Sequence, residues 1–163
     1  MNPRIAIRTL LFTLLVPGAA LAWAPYFLIA GPARVAAHWP PLATDAASVA
    51  PIAMIAFGIF TYLLCAMRFV IEGGGSPDPL APPVKLVTGG VYRFTRNPMY
   101  IGVVIALAGE AWWLASIAMA VYATIIAIAF HVRVVTIEEL ALRRLFEPEF
   151  AAYCARVKRW GVI

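Results

Sequence analysis

Long runs without a charged residue set the outline of this chain. Leu10 to Ala30 is uncharged over 21 residues and Ala46 to Met67 over 22, each near the roughly 20 residues that carry a helix across a hydrocarbon core. From Asn97 to Val132 the chain runs 36 residues with Glu110 as its only acid and His131 as its only other ionisable group. One helix of that length would reach roughly 54 Å at 1.5 Å per residue, so the run must double back. We read a helical hairpin turning near Trp112 to Ser116, although neither a proline nor a glycine pair marks the turn. The pattern predicts an all-α, polytopic membrane protein with about four transmembrane helices in one membrane domain, 1–163. The first two spans fall in 1–71 and the C-terminal helical hairpin in 98–137.

The remaining segments read differently. Span two is expected to start at Ser48 as a cap, with Pro51 in the first turn where its missing N–H costs least. Residues 72–97 form a Gly/Pro-rich loop: Gly73-Gly74-Gly75, then Pro77, Pro79, Pro82 and Pro83, cannot be regular helix. Pro98 suits the first turn of span three, with Asn97 as its cap. In the tail, 138–163, Leu140 and Ala141 follow Ile137, and Phe146, Phe150, Tyr153, Cys154 and Val157 recur at helical spacings with charges between them. This predicts two short cytoplasmic amphipathic helices, the second beginning at Pro148.

Composition and charge agree with a membrane setting. Hydrophobic residues make up 63% of the chain and charged ones 13%, far from the shares of an ordinary soluble domain. Of 13 basic residues only Arg34 falls between spans one and two. The other twelve flank the opposite ends of the spans, so the positive-inside rule puts both termini in the cytoplasm. In a bacterium this would be the inner membrane. Trp23, Tyr26, Trp39, Trp112 and Trp113 then gather near the outer interface, where aromatic belts form. Arg4, Arg8, the apolar run and Ala20-Leu21-Ala22 also resemble a secretory signal with its cleavage site; we read the segment as a retained first helix. Cys65 and Cys154 suggest no disulfide framework. The net charge of +5 reflects topology and an affinity for anionic lipid rather than nucleic acid.

Two polar clusters sit where the spans meet the cytoplasm. The first, Gly89-Gly90-Val91-Tyr92-Arg93-Phe94-Thr95-Arg96-Asn97-Pro98-Met99-Tyr100-Ile101-Gly102, offers a guanidinium, an amide and two phenols beside a helix N-terminus, suited to an anionic group such as a carboxylate. The second is Glu138-Glu139, following His131 and Arg133. Adjacent carboxylates point about 100° apart on a helix, so one can pair with a neighbour while the other faces a cleft. Taken alone, the first cluster reads as an interfacial anchor and the second as a solvated acidic pair bridged to Arg133, Arg143 or Arg144. Glu110 lies about 18 Å along span three from Pro98 and reads as a packing or interfacial acid.

The ordered series Gly90-x-Tyr92-x-x-x-Arg96-Asn97-Pro98-x-Tyr100-x-Gly102, an apolar hairpin, Glu138-Glu139-x-x-Leu142 and Phe146-x-x-Glu149-x-x-x-Tyr153 resembles the isoprenylcysteine carboxyl methyltransferase and phospholipid methyltransferase family of integral membrane methyltransferases. The resemblance covers about residues 73 to 160. It implies an S-adenosylmethionine-dependent methyltransferase that acts on a lipophilic acceptor at the cytoplasmic membrane face, the two clusters closing over the cofactor. Carried over residue by residue, it implies cofactor binding by Gly90, Tyr92, Arg96, Asn97, Pro98, Tyr100, Glu138 and Glu139. His131 joins them as a candidate by its place shortly before Glu138, and Arg96, to orient an anionic acceptor, and Glu139, to take a proton, are the candidate catalytic groups; no metal is needed. Asn97 replaces the histidine of many isoprenylcysteine enzymes, and Asn-Pro-Met-Tyr is similar to phosphatidylethanolamine N-methyltransferase. A prenylcysteine-like carboxylate, a phospholipid amine and a thiol all stay open as acceptors, and oligomeric state is open too. A membrane sterol reductase using NADPH has a similar Arg-Asn-Pro-x-Tyr-x-Gly stretch, but there a glutamate usually stands where this chain has Val103. A non-enzymatic membrane scaffold is the third reading.

Overall fold

The computed structural model describes residues 3–23, 25, 46–75 and 83–161. The expected outer-face residues Tyr26, Arg34 and Trp39, and residues 76–82 of the Gly/Pro-rich loop, lie outside that set. Among the described residues every regular element is helical: α1 (Pro3–Leu15), a π-helical turn (Ala19–Trp23), α2 (Ala46–Ile71), a 3₁₀ turn (Gly90–Arg93), α3 (Pro98–Trp113), α4 (Ile117–Arg133), a second π-helical turn (Val134–Glu138), α5 (Glu139–Phe146) and α6 (Glu149–Arg156). Ser48–Ile71 and the continuous helical run Ile117–Phe146 are long and apolar enough to cross a membrane, while Ile7–Ala22 and Pro98–Trp113 are shorter apolar helices. The 30-residue run Ile117–Phe146 measures about 45 Å, against about 30 Å of hydrocarbon. Its charged portion, which begins at Arg133, therefore projects beyond the apolar part.

The centre of the molecule is the seam between α2 and α3. A Cβ placed on Gly58 would run into the Gly102 carbonyl oxygen, and one on Gly102 would come within 2.7 Å of the Gly58 oxygen. The two backbones touch there, as small residues permit between apolar helices. Around this contact Tyr62, Ala66, Val103, Leu107, Leu114, Met119 and Ala123 form one buried cluster joining α2, α3 and α4. On the far side of α4, Ile117, Val121, Ile125, Ile128 and Val132 are exposed at steps of three and four residues. Such a stripe marks a face turned to an apolar phase rather than to water.

The chain reverses between α3 and α4 at Leu114 and Ala115. Ala115 takes φ of +46°, a conformation usually left to glycine, and the buried Ser116 hydroxyl caps α4 by accepting from the Met119 N–H at 3.3 Å. The reversal brings Tyr100 against Phe130, with ring centroids 4.4 Å apart. The N-terminal segment joins this body by hydrogen bonds between Thr13 and Tyr62, 3.2 Å, and from the Tyr122 hydroxyl to the Ala20 carbonyl, also 3.2 Å.

Three local expectations change. α2 begins at Ala46, so Pro51 lies inside the helix rather than in its first turn; the proline removes one rung of the hydrogen-bond ladder. The first tail helix, α5, is no separate element. It continues α4 through the π turn, because no glycine or proline between Arg133 and Glu139 stops the run. Asn97 precedes α3 but its side chain makes no cap bond, being engaged elsewhere. α6 starts directly after Pro148 and packs Phe150, Tyr153 and Val157 against Leu86, Leu142 and Phe146.

Candidate functional site

The polar residues converge where α3 begins and α4 ends. Approaching α3, the chain passes Gly89-Gly90. Gly90 has φ of +57°, and a Cβ there would lie 2.8 Å from the Arg68 Nε. Arg68 in turn is ion-paired with Glu72 one turn on. The glycines thus let the loop lie against the charged end of α2. Tyr92 follows and turns inward: it is 6% exposed, clustered with Cys65 and Val87, and meets Phe69 edge-on at 5.9 Å. Its carbonyl accepts from the Tyr153 hydroxyl at 2.7 Å, and burial raises both phenols above their ordinary range. Of the two residues expected as cofactor contacts here, Gly90 shapes the loop backbone and Tyr92 packs its ring into the loop's core.

Thr95, Arg96 and Asn97 grip the tail. The Arg96 N–H donates to the Lys158 carbonyl at 2.9 Å. Two side chains reach the Arg159 carbonyl: the Thr95 hydroxyl at 3.0 Å and the Asn97 amide Nδ2 at 3.1 Å. Here is why Asn97 does not cap α3: its amide holds the tail, while Pro98 takes the first helical position, where no N–H is needed.

Two ion clusters stand on this clasp. Arg96 is paired with Glu139 at 3.1 Å, and Arg159 holds the same carboxylate in a fork, Nε to Oε1 at 2.7 Å and Nη2 to Oε2 at 2.8 Å. Glu139 is only 12% exposed and Arg96 14%. The Arg159 fork, reinforced by Arg96, holds the Glu139 carboxyl below its ordinary range against the opposing effect of burial. Arg96 also reaches the Cys154 Sγ at 2.7 Å, yet its buried Nε has no hydrogen-bond partner among the described residues. In the second cluster the Tyr100 hydroxyl donates to Glu138 Oε1, and Arg133 Nε donates to the same oxygen at 2.7 Å. Glu138 keeps 28% of its side chain exposed, and none of the described residues bonds its other oxygen.

Arg133 and Glu138 are five residues apart, a spacing an α-helix turns away from one face. The π turn Val134–Glu138 restores it, since an i to i+5 repeat adds one residue to the turn. The bridge from the acidic pair to Arg133, one of those the sequence suggested, is thus present at Glu138. Arg159 and Thr95 were missed, because they meet each other across some sixty residues of intervening chain. Arg143, a suggested partner, pairs with Glu147 at 3.6 Å instead. Glu110 takes no part. It sits at the far end of α3, with one buried oxygen unpartnered among the described residues.

His131 lies at the edge of the site. Its Nδ1 accepts from the Trp160 indole N–H at 3.0 Å, which leaves the ring proton of a neutral imidazole on Nε2. With Tyr100, Ile101, Val104, Ile105, Ala127, Phe130 and Trp160 it lines a groove of about 240 Å³ between α3 and α4. The groove is apolar along its length and polar at its Tyr100 end.

What this arrangement can do chemically follows from its inventory. Two carboxylates, three guanidiniums and a phenol gather at one end of an apolar hairpin, offering opposite charges within one small space to a molecule that carries both. The sequence model of the phospholipid methyltransferase family matches residues 46–149, a span that holds α2, the loop, the hairpin and both glutamates. No curated protein and no solved structure matches the chain. The family match covers well over half of the 163 residues, and it brings with it the expectation of a membrane methyltransferase: the chain belongs to the phospholipid methyltransferase family.

Proposed function

We propose that this protein transfers a methyl group from S-adenosylmethionine to a lipophilic acceptor at the cytoplasmic face of the membrane. The observation that carries the proposal is the meeting of the α3 entrance with the paired glutamates, through Tyr100 to Glu138 and Arg96 to Glu139. The residues present fit the donor. A zwitterionic amino acid attached to a nucleoside needs both an acidic and a basic contact, and the site offers a half-open carboxylate at Glu138 beside the exposed guanidinium of Arg133. When bound, that donor supplies a methyl group already activated on a sulfonium.

The chain's own residues then have separable tasks. Glu138, with one oxygen open, receives an ammonium or ribose hydroxyl. Glu139 has both oxygens engaged by Arg159 and Arg96, so we assign Arg96 and Glu139 to positioning rather than to the catalytic roles expected from the sequence. Arg133 and Tyr100, at the mouth of the apolar groove, orient the polar end of the acceptor. The groove takes its hydrocarbon part and keeps water from the transfer, and holding both partners in line supplies much of the acceleration. With an amine or thiol acceptor, a site carboxylate also takes up the proton released. We read α1 with its π turn, α2, α3 and α4 as four crossings with both termini cytoplasmic, which puts this mouth where a water-soluble donor and a bilayer-borne acceptor meet.

Titration of the detergent-purified protein with S-adenosylmethionine and with NADPH tests the reading. Saturable binding of the first alone is expected. Binding of NADPH alone, or of neither, overturns it. Incubating membranes with methyl-labelled donor and identifying the labelled lipid then names the acceptor.

A further inference from the structure

A second groove lies away from the glutamates and is wider than the one between α3 and α4. It measures about 620 Å³, lies between the 3₁₀ turn and α6, and is lined by Thr88, Gly89, Arg93, Phe94, Tyr153, Arg156 and Val157. None of these residues belongs to the Tyr100, Arg133, Glu138 and Glu139 cluster. Two guanidiniums, Arg93 and Arg156, flank it from opposite walls, and no acid lines it. The Glu72 carboxylate, which lies beside Gly89, is paired with Arg68. Arg156 is tied only to the Ala152 carbonyl, at 3.4 Å within its own helix. Neither Arg93 nor Arg156 is ion-paired among the described residues.

Two unneutralised guanidiniums facing one space are the recognition chemistry of a phosphate, which they bind in planar, bidentate fashion. The remaining wall decides between a free anion and a lipid. Phe94 is half exposed at the rim and Val157 closes the floor, surfaces a soluble anion does not use. The groove also lies on the loop and tail that flank the apolar helices, where clusters of basic residues meet lipid headgroups. We propose that this groove seats the phosphate of an anionic phospholipid, Arg93 and Arg156 holding the phosphate oxygens and Phe94 lying against the acyl chain. The site is separate from the acceptor groove between α3 and α4. Its consequence follows from its walls: the lipid bridges the loop before α3 to α6, just ahead of Lys158 and Arg159, whose carbonyls that loop grips.

The test uses the full chain in a neutral detergent, titrated with dihexanoyl phosphatidylglycerol, with dihexanoyl phosphatidylcholine and with inorganic phosphate, read by thermal shift and by native mass spectrometry. The anionic lipid is expected to bind saturably with a rise in Tm, at least tenfold more tightly than either other probe. The double variant Arg93→Gln, Arg156→Gln is expected to lose that binding at least tenfold. Both side chains are exposed, and unchanged S-adenosylmethionine affinity in the variant verifies that it is folded. Arg156→Lys, which keeps the charge but not the planar fork, is expected to fall between. Equal binding of all three probes, tighter binding of inorganic phosphate, or wild-type lipid affinity in the double variant overturns the proposal. Failure of the wild type to bind the methyl donor would sink the methyltransferase reading and leave this one standing; a second ligand-free reporter of folding, the circular dichroism spectrum, then replaces the donor control.

Discussion

At the scale of single residues, the two adjacent glutamates are not equivalent, and their difference is measurable. Glu139 is clamped on both oxygens and nearly buried, whereas Glu138 shares one oxygen and leaves the other open. Glu139→Gln removes a charge between two guanidiniums and is expected to lower stability by roughly 2 kcal/mol, seen as a drop in Tm. Glu138→Gln is expected to leave Tm nearly unchanged and to weaken S-adenosylmethionine binding about tenfold, or about 1.4 kcal/mol, by equilibrium titration. The opposite pattern of effects would exchange the roles of the two glutamates. Acid provides an independent check. Because Arg159 and Arg96 hold the folded-state pKa of Glu139 below its unfolded value, the stabilisation is fully present above the ordinary carboxylate range of about 4.3 and is lost as pH falls through the lowered value. Tm is therefore expected to decline below about pH 4 in the wild type, with a visibly flatter decline in Glu139→Gln; parallel curves would remove the pair from the stability of the fold. The residues of this site were legible in the sequence only through the order and spacing of the two clusters together, because alone an Asn-Pro helix start reads as an anchor and a doubled glutamate as a solvated pair. Their division of labour was not, since the partner of Glu139 is Arg159, twenty positions away and across the tail clasp.

Among elements, the α2–α3 seam and the α4–α5 junction matter most. The apolar runs announced α2, the hairpin and a turn near Trp112 to Ser116, where the chain does reverse; the form of that turn was hidden, because an alanine, Ala115, occupies a conformation that usually advertises itself as glycine. Ser116, a plain N-cap signal in the sequence, was the available clue. The π turn was hidden for another reason: it carries no breaker residue, only a one-residue surplus that becomes visible when Arg133 and Glu138 share a face. The seam itself depends on Gly58 and Gly102 having no side chains. Gly102→Val would drive methyl groups into the Gly58 carbonyl and the Tyr62 backbone, a contact with no flexible side chain to yield. A loss of at least about 2 kcal/mol is expected, measured as a lowered unfolding temperature in detergent. Because Gly102 and Tyr100 share the first turns of α3, donor affinity should fall with it. Wild-type stability in this variant would mean that α2 and α3 do not touch where the glycines meet.

Across the whole molecule, the site exists only because three distant stretches meet: the segment before α3, the end of α4, and residues 158–160 of the tail. The hairpin supplies the first two as neighbours, and its reversal could be read from the length of the apolar run. The third could not, because it is recruited by backbone carbonyls that leave no trace in residue type. The Lys158 and Arg159 carbonyls accept from Arg96, Thr95 and Asn97, and the Arg159 guanidinium then reaches back to Glu139. A chain ending at Val157 keeps every apolar helix and the packing of Phe150, Tyr153 and Val157, so it should still enter membranes with unchanged helical content. It loses the two carbonyls, the Arg159 fork and the Trp160 bond to His131 together. S-adenosylmethionine binding by that chain is expected to fall by more than tenfold, whereas Arg159→Gln, which keeps both carbonyls, should lose less. Full donor affinity in the shortened chain would show that the tail is an ornament of the fold rather than a wall of the site, and the functional reading would then have to rest on the hairpin alone.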